Sequence, residues 1–330
     1  MARQNKDTFL LRHDFFPQIK MLTMEQRGRL LTAIYAHATE EELPEMAKAY
    51  GNAVNLARKA GFDAVEVHAG HGYLISQFLS PYTNHRKDEY GGSLENRMRF
   101  MDMVMEEVMK AAGSDMAVFV KMNMRDGFKG GMEIDESIQV AKRLLELGAH
   151  GLVLSGGFVS KAPMYVMRGA MPIRSMSYYM NCWWLKYGVR MFGKWMIPSV
   201  PFKEAYFLED ALKFRAALPD APLIYVGGLV SRQKIDEVLD SGFDAVQMAR
   251  ALLNEPGFVN RMKQEEQARC NCGHSNYCIG RMYTIEMACH QHLKEQLPSS
   301  LQKEIDKLSK ILRETDMKIQ ELNWTTELKD

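Results

Sequence analysis

Two histidines and a tyrosine stand close together in the segment HAGHGY, which begins at His68. His71 follows three residues later, and Gly70 and Gly72 give the backbone around it freedom to turn. Two imidazoles can donate hydrogen bonds to an oxygen on which negative charge develops, and a phenol such as that of Tyr73 can deliver a proton. A zinc site is an alternative that needs at least one further protein ligand. A purely structural role of the two histidines is the third possibility.

Cysteines form a second candidate cluster. Four of the five cysteines of the chain lie within twenty residues, namely Cys270, Cys272, Cys278 and Cys289. The first nine residues are polar and show no secretory signal, so we expect a cytoplasmic protein. In that compartment a cysteine cluster is more typical of a metal or iron–sulfur centre than of disulfides. An iron–sulfur cluster, a zinc ion and free thiols remain as alternatives.

Repeated helix–strand units must position these side chains. The segment ARKAGFDAVEV (57–67) recurs as VLDSGFDAVQM (238–248) and, more loosely, as LLELGAHGLVL (144–154). Each copy predicts an amphipathic helix that ends at a glycine and leads directly into a short buried strand. Apolar runs at 117–122 and 222–228 predict two more strands. Five strands that alternate with helices predict a parallel sheet with helical crossovers.

Chemically active residues follow the ends of the predicted strands: His68, Lys121, Ser155, Gly227 and Arg250. The carboxyl ends of the strands form the functional face of a (β/α)8 barrel, and a doubly wound open sheet also binds ligands there. We favour the barrel, because Gly-Gly after one strand and Ala-Arg after the next resemble a phosphate site late in such barrels. Since only about five βα units are recognisable, the prediction is an α/β fold with a partial TIM barrel, a helical N-terminal segment and a C-terminal helix.

Composition excludes some classes of partner. The formal net charge is +1 with 25% charged residues, which argues against a protein that binds nucleic acid by bulk electrostatics. No apolar run reaches the length of a membrane-spanning helix, so we expect no membrane partner.

The C-terminal segment 293–330 predicts an amphipathic helix. Ser299 and Gln302 form a capping box at its start. Apolar or small side chains then alternate four and three residues apart, the spacing of a coiled-coil seam: Leu301, Ile305, Leu308, Leu312, Thr315, Ile319 and Leu322. Three heptads are short for an autonomous coiled coil, so packing on the chain's own barrel and self-association are both open. The open edge of the barrel is a second possible surface for a homo-oligomer.

The segment HAGHGYLISQFLSPYTNHRKDEYGGSLENRMRF closely resembles the old yellow enzyme family of FMN-dependent ene-reductases. Its stretch QFLSPYTNHRKDEYGGSLENR is highly specific, and the resemblance runs from about Thr39 to His292. The resemblance implies three parts: an unrelated or divergent N-terminal segment (1–38), a flavin oxidoreductase barrel portion that includes the cysteine cluster (39–292), and the C-terminal helix (293–330).

The resemblance implies an FMN-dependent oxidoreductase that uses NADH or NADPH to reduce the activated C=C bond of an α,β-unsaturated carbonyl compound. His68 and His71 match the pair that holds the substrate's carbonyl oxygen, and Tyr73 matches the proton donor. Lys121 matches the basic residue beside the pyrimidine edge of the flavin. The residues that match the phosphate cradle are Gly227, Gly228, Ala249 and Arg250.

The chain departs from the family pattern in two places. Relatives have roughly three βα units before the histidine motif, and none is recognisable in residues 1–38. Multi-domain relatives carry an iron–sulfur motif at the cysteine cluster, but Ser275 stands where a further cysteine is expected. An alternative function is therefore a catalytically inactive, truncated barrel or an interaction protein.

Overall fold

The computed structural model describes residues 42–197, 199–282, 285–294 and 296–310. The predicted N-terminal segment 1–38 and the part of the C-terminal helix after residue 310 lie outside the described residues.

A parallel five-stranded sheet forms the centre of the structure, with the strands in the order in which they occur along the chain. The strands are β1 (Ala64–Ala69), β2 (Ala117–Asn123), β3 (Gly151–Ser155), β4 (Leu223–Val226) and β5 (Ala245–Gln247). In the register, His68 lies beside Lys121, and Asn123 lies beside Ser155. The predicted parallel strands are confirmed, and polar residues of three adjacent strands meet at their carboxyl ends.

Helices connect the strands and cover the sheet. They are α1 (Leu43–Lys59), α2 (Leu74–Leu79), α3 (Leu94–Ala112), α4 (Ile134–Glu146), α5 (Pro163–Met167), α6 (Ile173–Tyr178), α7 (Trp183–Met196), α8 (Leu208–Ala217), α9 (Arg232–Asp240), α10 (Arg250–Asn254), α11 (Phe258–Gln264) and α12 (Tyr277–Met282), followed by a 3₁₀ turn (His290–His292). Helix α1 packs closely on α3, because a Cβ added at Gly51 would lie 2.9 Å from the carbonyl oxygen of Glu107.

Burial along the sheet distinguishes the central strand from its edges. Every residue of β3 is buried, whereas Ala64 and Glu66 of β1 and Ala245 of β5 are exposed. The sheet is nevertheless curled, since the side chain of Gln247 on the last strand donates a hydrogen bond to Glu66 on the first. A curled parallel sheet with helical crossovers is the architecture of a (β/α)8 barrel, here in partial form.

The described part of the C-terminal helix, residues 299–310, packs on its own chain. Leu301 and Ile305 are each 1% exposed. The carboxylate of Glu304 accepts hydrogen bonds from the backbone N–H groups of Arg174 and Ser175, each at 2.8 Å, and so caps the start of α6. Of the two alternatives for the apolar seam, packing on the same chain is therefore the one observed in this part of the helix.

A search of the described helices for a segment able to span a membrane finds none of sufficient length and apolarity.

Candidate active site

A tight turn after β1 brings the predicted rings together. His71 and Gly72 both have left-handed backbone conformations, with φ of 60° and 81°. A Cβ added at Gly72 would lie 2.3 Å from the ring of Phe158, so the position requires glycine for space as well as for conformation. Histidine is one of the few side chains found repeatedly in this backbone region. The turn directs the chain back over the carboxyl ends of β1 and β2.

The rings of His68, His71 and Tyr73 form one cluster, which we call the imidazole site. The ring centroids of His68 and His71 are 4.9 Å apart with the planes at 89°, and those of His68 and Tyr73 are also 4.9 Å apart. Tyr73 is 36% exposed, so its hydroxyl group has access to solvent. Two imidazoles and a phenol thus share one partly open position at the end of the first strand.

Hydrogen bonds from the two neighbouring strands hold His71 in place. Its Nε2 atom lies 2.7 Å from the Ser155 Oγ atom, and its backbone N–H donates to the Asn123 Oδ1 atom at 2.9 Å. Asn123 is 0% exposed and donates its own amide hydrogens to the Gly157 carbonyl (2.8 Å) and the Asp126 carboxylate (2.9 Å). Sequence reasoning missed Asn123, although its place at the end of a predicted strand was a usable signal.

Both histidines of the imidazole site are neutral near pH 7. Burial, and then the proximity of His68 and Lys121, lowers the pKa of His71 to about 3. Burial and Lys121 also lower the pKa of His68, against the opposing effect of Glu66. Because a buried imidazolium is costly to form, each ring keeps one N–H donor and one acceptor.

Lys121 is connected to both edge strands of the sheet, β1 and β5, by hydrogen bonds through the Glu66 carboxylate. Its Nζ atom donates to the Glu66 Oε1 atom at 2.6 Å, and Gln247 donates to the other oxygen of the same carboxylate. The Lys121 side chain is 20% exposed, so its charge lies in the curled interior beside His68. The cation that is predicted to face the flavin therefore lies next to the imidazole site.

The predicted phosphate cradle lies at the ends of β4 and β5. The φ angles of Gly227 and Gly228 are 154° and 71°, and no acceptor among the described residues receives a hydrogen bond from the backbone amides of Gly227, Gly228, Ala249 or Arg250. Tyr206 packs against Gly228 and also contacts Arg250. Unpaired amides beside a guanidinium are a donor set that matches a phosphate group.

Arg168 is a residue of this face to which the sequence reasoning gave no role. Its guanidinium carbon lies 4.7 Å from the ring centroids of both Tyr165 and Tyr206 and 5.5 Å from that of Phe207. Its backbone φ of 55° is unusual for a residue other than glycine. The guanidinium stacks between these aromatic rings and lies next to the phosphate cradle.

Three of the four predicted cysteine ligands line one cavity. Cys272, Cys278 and Cys289, together with Arg250, surround about 20 Å³ of space, and we call this the cysteine pocket. A cavity of this size holds about one water molecule. Burial raises the pKa of the Cys278 thiol to about 11 and also raises that of Cys272, so both side chains are neutral thiols near pH 7.

Cys270 does not join the other three. It is buried, and its thiol donates to the carbonyl oxygen of Ala251 at 3.4 Å and to the Asn254 Oδ1 atom at 3.3 Å. Within the described ranges, no group of three His, Cys, Asp or Glu side chains has an arrangement that could hold a metal ion. The predicted four-cysteine ligand set is therefore not assembled, and with Ser275 in place of a further cysteine the donor set does not fit an iron–sulfur cluster. The same finding leaves the zinc alternative at His68 and His71 without a ligand set.

The most specific sequence signature, QFLSPYTNHRKDEYGGSLENR, makes structural contacts. The amide group of Asn84 donates to the carbonyl oxygens of Phe78 (2.7 Å) and Tyr90 (2.8 Å). The buried guanidinium of Arg97 donates to the carbonyl oxygen of Leu79 and pairs with Glu136. These bonds fix the loop between α2 and α3. Helix α2 itself begins directly after Tyr73 of the imidazole site.

Comparison with known proteins identifies the family. The model of the NADH:flavin oxidoreductase / NADH oxidase family matches residues 16–186, more than half of the chain. The 4,4'-dithiodibutanoate disulfide reductase of Rhodococcus erythropolis is 40% identical over 249 residues, which cover 75% of this chain and 61% of that protein. The cinnamate reductase of Clostridium sporogenes is 42% identical over 151 residues, 40% of this chain and 23% of that protein.

A solved structure supports the fold, and a second family model matches the C-terminal segment. The old yellow enzyme homologue from Zymomonas mobilis superposes with a TM-score of 0.51 at 23% identity, over 79% of this chain and 60% of the other. Residues 296–328 match a family of unknown function. The chain spans less than two thirds of the length of each of these proteins. From the family match and the similarity to the Rhodococcus protein, the chain belongs to the NADH:flavin oxidoreductase / NADH oxidase family, that of the old yellow enzymes.

Proposed function

We propose that the protein is an FMN-dependent oxidoreductase that uses NADH or NADPH to reduce the activated C=C bond of an α,β-unsaturated carbonyl compound. The observation that carries the proposal is the imidazole site at the end of β1, where the ring centroids of His71 and Tyr73 each lie 4.9 Å from that of His68. Family membership supports FMN and a nicotinamide nucleotide as the redox partners.

The two imidazoles would hold the carbonyl oxygen of the substrate. Ser155 can donate its hydroxyl hydrogen to the Nε2 atom of His71, which leaves the proton of that ring on Nδ1 and available to the substrate. His68 supplies the second N–H group. Because both rings are neutral, they stabilise the negative charge that develops on the oxygen by hydrogen bonding and need no proton transfer.

Tyr73 would deliver the proton to the α-carbon. Its ring contacts His68, and the side chain is 36% exposed. A phenol in this position can give up its proton toward the substrate and regain one from solvent.

The chain offers groups that fit FMN in two places. The backbone amides of Gly227, Gly228, Ala249 and Arg250 have no described acceptor, and with the guanidinium of Arg250 they would hold the phosphate. Lys121 would place positive charge at the pyrimidine edge of the ring. The chemistry that FMN would supply when bound is the transfer of a hydride equivalent, an electron pair with one proton, from the nicotinamide nucleotide to the β-carbon.

Flavin binding and one matched pair of variants test the proposal. The purified full chain, supplied with FMN, is expected to show a flavin absorbance spectrum that NADH or NADPH bleaches and an enone such as cyclohexenone restores. Tyr73→Phe should lower kcat by about 10²–10⁴-fold, whereas Tyr178→Phe, equally exposed at 39%, should leave it unchanged. Equal activity of both variants would contradict the role of Tyr73.

An inactive barrel remnant is the second candidate function. It is favoured by the exposed residues on the edge strands of the described sheet, Ala64 and Glu66 on β1 and Ala245 on β5. A protein that takes up no FMN and oxidises no nicotinamide nucleotide would establish this candidate and exclude the first.

A further inference from the structure

Helix α7 turns an aromatic surface toward solvent. Its exposed apolar side chains are between 53% and 85% accessible, and we call them the aromatic stripe: Trp183, Trp184, Tyr187, Met191, Phe192, Trp195 and Met196. A surface helix normally buries its apolar face and exposes its polar one, so this arrangement is the reverse of the usual one. Exposed apolar patches of this kind mark interaction surfaces.

The opposite face of α7 contacts its own chain through a small area. Gly193 is buried, and a Cβ added there would lie 2.7 Å from the side chain of Ile173 on α6. Val189 packs against the same small apolar cluster, which includes Met164 and Met176. The helix is therefore anchored by one face, and the stripe is its outer face.

The stripe does not lie where the barrel is incomplete. Helix α7 belongs to the connection between β3 and β4, and β3 is the central strand of the sheet. Further βα units would pair with the free edges of β1 and β5. Strands added at the edges of the described sheet would therefore not cover the stripe.

The segment of the sequence that carries the stripe has charges of one sign. Residues 147–203 contain seven lysines and arginines and not one aspartate or glutamate, in a chain whose formal net charge is only +1. Three of the seven, Lys186, Arg190 and Lys194, belong to α7 itself. A second copy of the chain placed on this face would bring like charges together, which disfavours self-association through the stripe.

We propose that α7 binds the surface of an anionic lipid bilayer. The stripe lies at the boundary between headgroups and acyl chains, where tryptophan and tyrosine are enriched, and the basic side chains contact the lipid phosphates. Lysine and arginine reach the headgroups while their methylene chains follow the apolar surface. The protein lies on the bilayer and does not cross it, in agreement with the lack of a spanning helix among the described residues.

This surface is independent of the proposed function, because none of its residues belongs to the imidazole site or the phosphate cradle. Failure of flavin binding would leave the lipid proposal intact, and the reverse also holds.

Tryptophan fluorescence reports directly on the stripe. Three of the four tryptophans lie on α7, and the fourth is Trp324. In the full chain carrying Trp324→Phe, emission therefore comes from α7 alone. Addition of phosphatidylglycerol–phosphatidylcholine vesicles should shift the emission to shorter wavelength and bring the protein down with the vesicles on centrifugation. Vesicles of phosphatidylcholine alone should bind it several-fold more weakly, and added salt should reduce binding to the anionic vesicles.

Matched variants separate the apolar and the electrostatic contributions. Trp184→Ala with Trp195→Ala should abolish vesicle binding, whereas Leu56→Ala with Phe62→Ala, at exposed sites of similar accessibility on another part of the chain, should not change it. Lys194→Glu should weaken binding about fivefold or more, and Lys263→Glu should have no effect.

Several results would overturn the proposal. They are no binding to anionic vesicles, unchanged binding by the double tryptophan variant, tryptophans that acrylamide does not quench in the free protein, a dimer that the tryptophan substitutions dissociate, and binding to RNA that competes with the vesicles.

Discussion

The imidazole site and the cysteine pocket contain the same number of reactive side chains but differ in their support. In the imidazole site, a left-handed turn, a buried asparagine and a serine from the neighbouring strand fix the orientation of His71. In the cysteine pocket, three thiols face a cavity of about 20 Å³, and the fourth cysteine is hydrogen-bonded elsewhere. Reactive residue types at suggestive spacing occur in both places. Among the pocket thiols, Cys289 accepts a hydrogen bond from the Asn254 side chain at 3.3 Å, whereas His71 is held through both its ring and its backbone.

The surroundings of the histidines also differ between the two regions. Each region contains a histidine next to a fixed cation, the half-buried His71 near Lys121 and the buried His274 near Arg250, and in both the pKa of the imidazole is lowered. Only His71 is joined to further polar groups that lead into the sheet. A neutral, oriented donor is useful for catalysis, whereas His274 stacks on Phe202 with ring centroids 3.9 Å apart and serves packing.

The largest effect is expected from removal of an oriented donor. His71→Ala should lower kcat for enone reduction by about 10²–10³-fold, because the developing oxyanion loses one of its two donors. His85→Ala, an exposed histidine in the following loop, should leave kcat unchanged. Steady-state kinetics with flavin-saturated protein measures both. A loss in His71→Ala confined to KM would contradict the assigned role.

The second largest effect is expected from a substitution in the turn that follows β1. Gly72→Ala should destabilise the fold by roughly 3 kcal/mol, since the new Cβ both meets Phe158 at 2.3 Å and must adopt a φ of 81°. Gly92 is a matched control with a φ of 83° and nothing within 4 Å of an added Cβ, so Gly92→Ala should cost about 1 kcal/mol. Urea unfolding of the two variants measures the difference, and equal losses would show that Phe158 yields at little cost.

Acid is expected to have an effect that is smaller per pH unit. The pKa of His71 in the folded protein is about 3, below the ordinary value of 6.5, so the unfolded chain binds more protons between these values. Stability due to this group is therefore complete above about pH 6.5 and declines as the pH falls toward 3, by up to about 1.4 kcal/mol per pH unit. His274 should contribute in the same direction. Denaturation as a function of pH should show a shallower slope in His71→Gln, and an unchanged slope would argue against burial of a neutral ring.

The smallest effect is expected in the cysteine pocket. Cys278→Ser should change the free energy of unfolding by about 1 kcal/mol or less and leave flavin content unchanged, because no ligand set depends on this thiol. Elemental analysis of the full chain should find no stoichiometric iron or zinc. Stoichiometric metal that disappears in Cys278→Ser would make the two regions equivalent and refute the comparison.

Much of the fold and part of the site could be predicted from sequence. The repeated helix–glycine–strand pattern predicted parallel strands, and the position of His68 after an apolar run placed it at a strand end. These predictions depend on residues close together in the chain, where local periodicity and turn chemistry act directly. The stretch QFLSPYTNHRKDEYGGSLENR indicated the family, although its residues Asn84 and Arg97 make structural contacts in the loop that follows α2.

What tertiary structure alone decided involves residues distant in sequence. The contacts of His71 with Asn123 and Ser155 depend on the register of three strands, and the link between Glu66 and Gln247 depends on the curl of the whole sheet. Spacing suggested four cysteine ligands, but the hydrogen bonds of Cys270 turned one of them away. Hydropathy averages over a helix and cannot show which of its faces is buried. Only the packing of α7 against α6 determined that the face with Gly193 is covered and that three tryptophans are exposed to solvent.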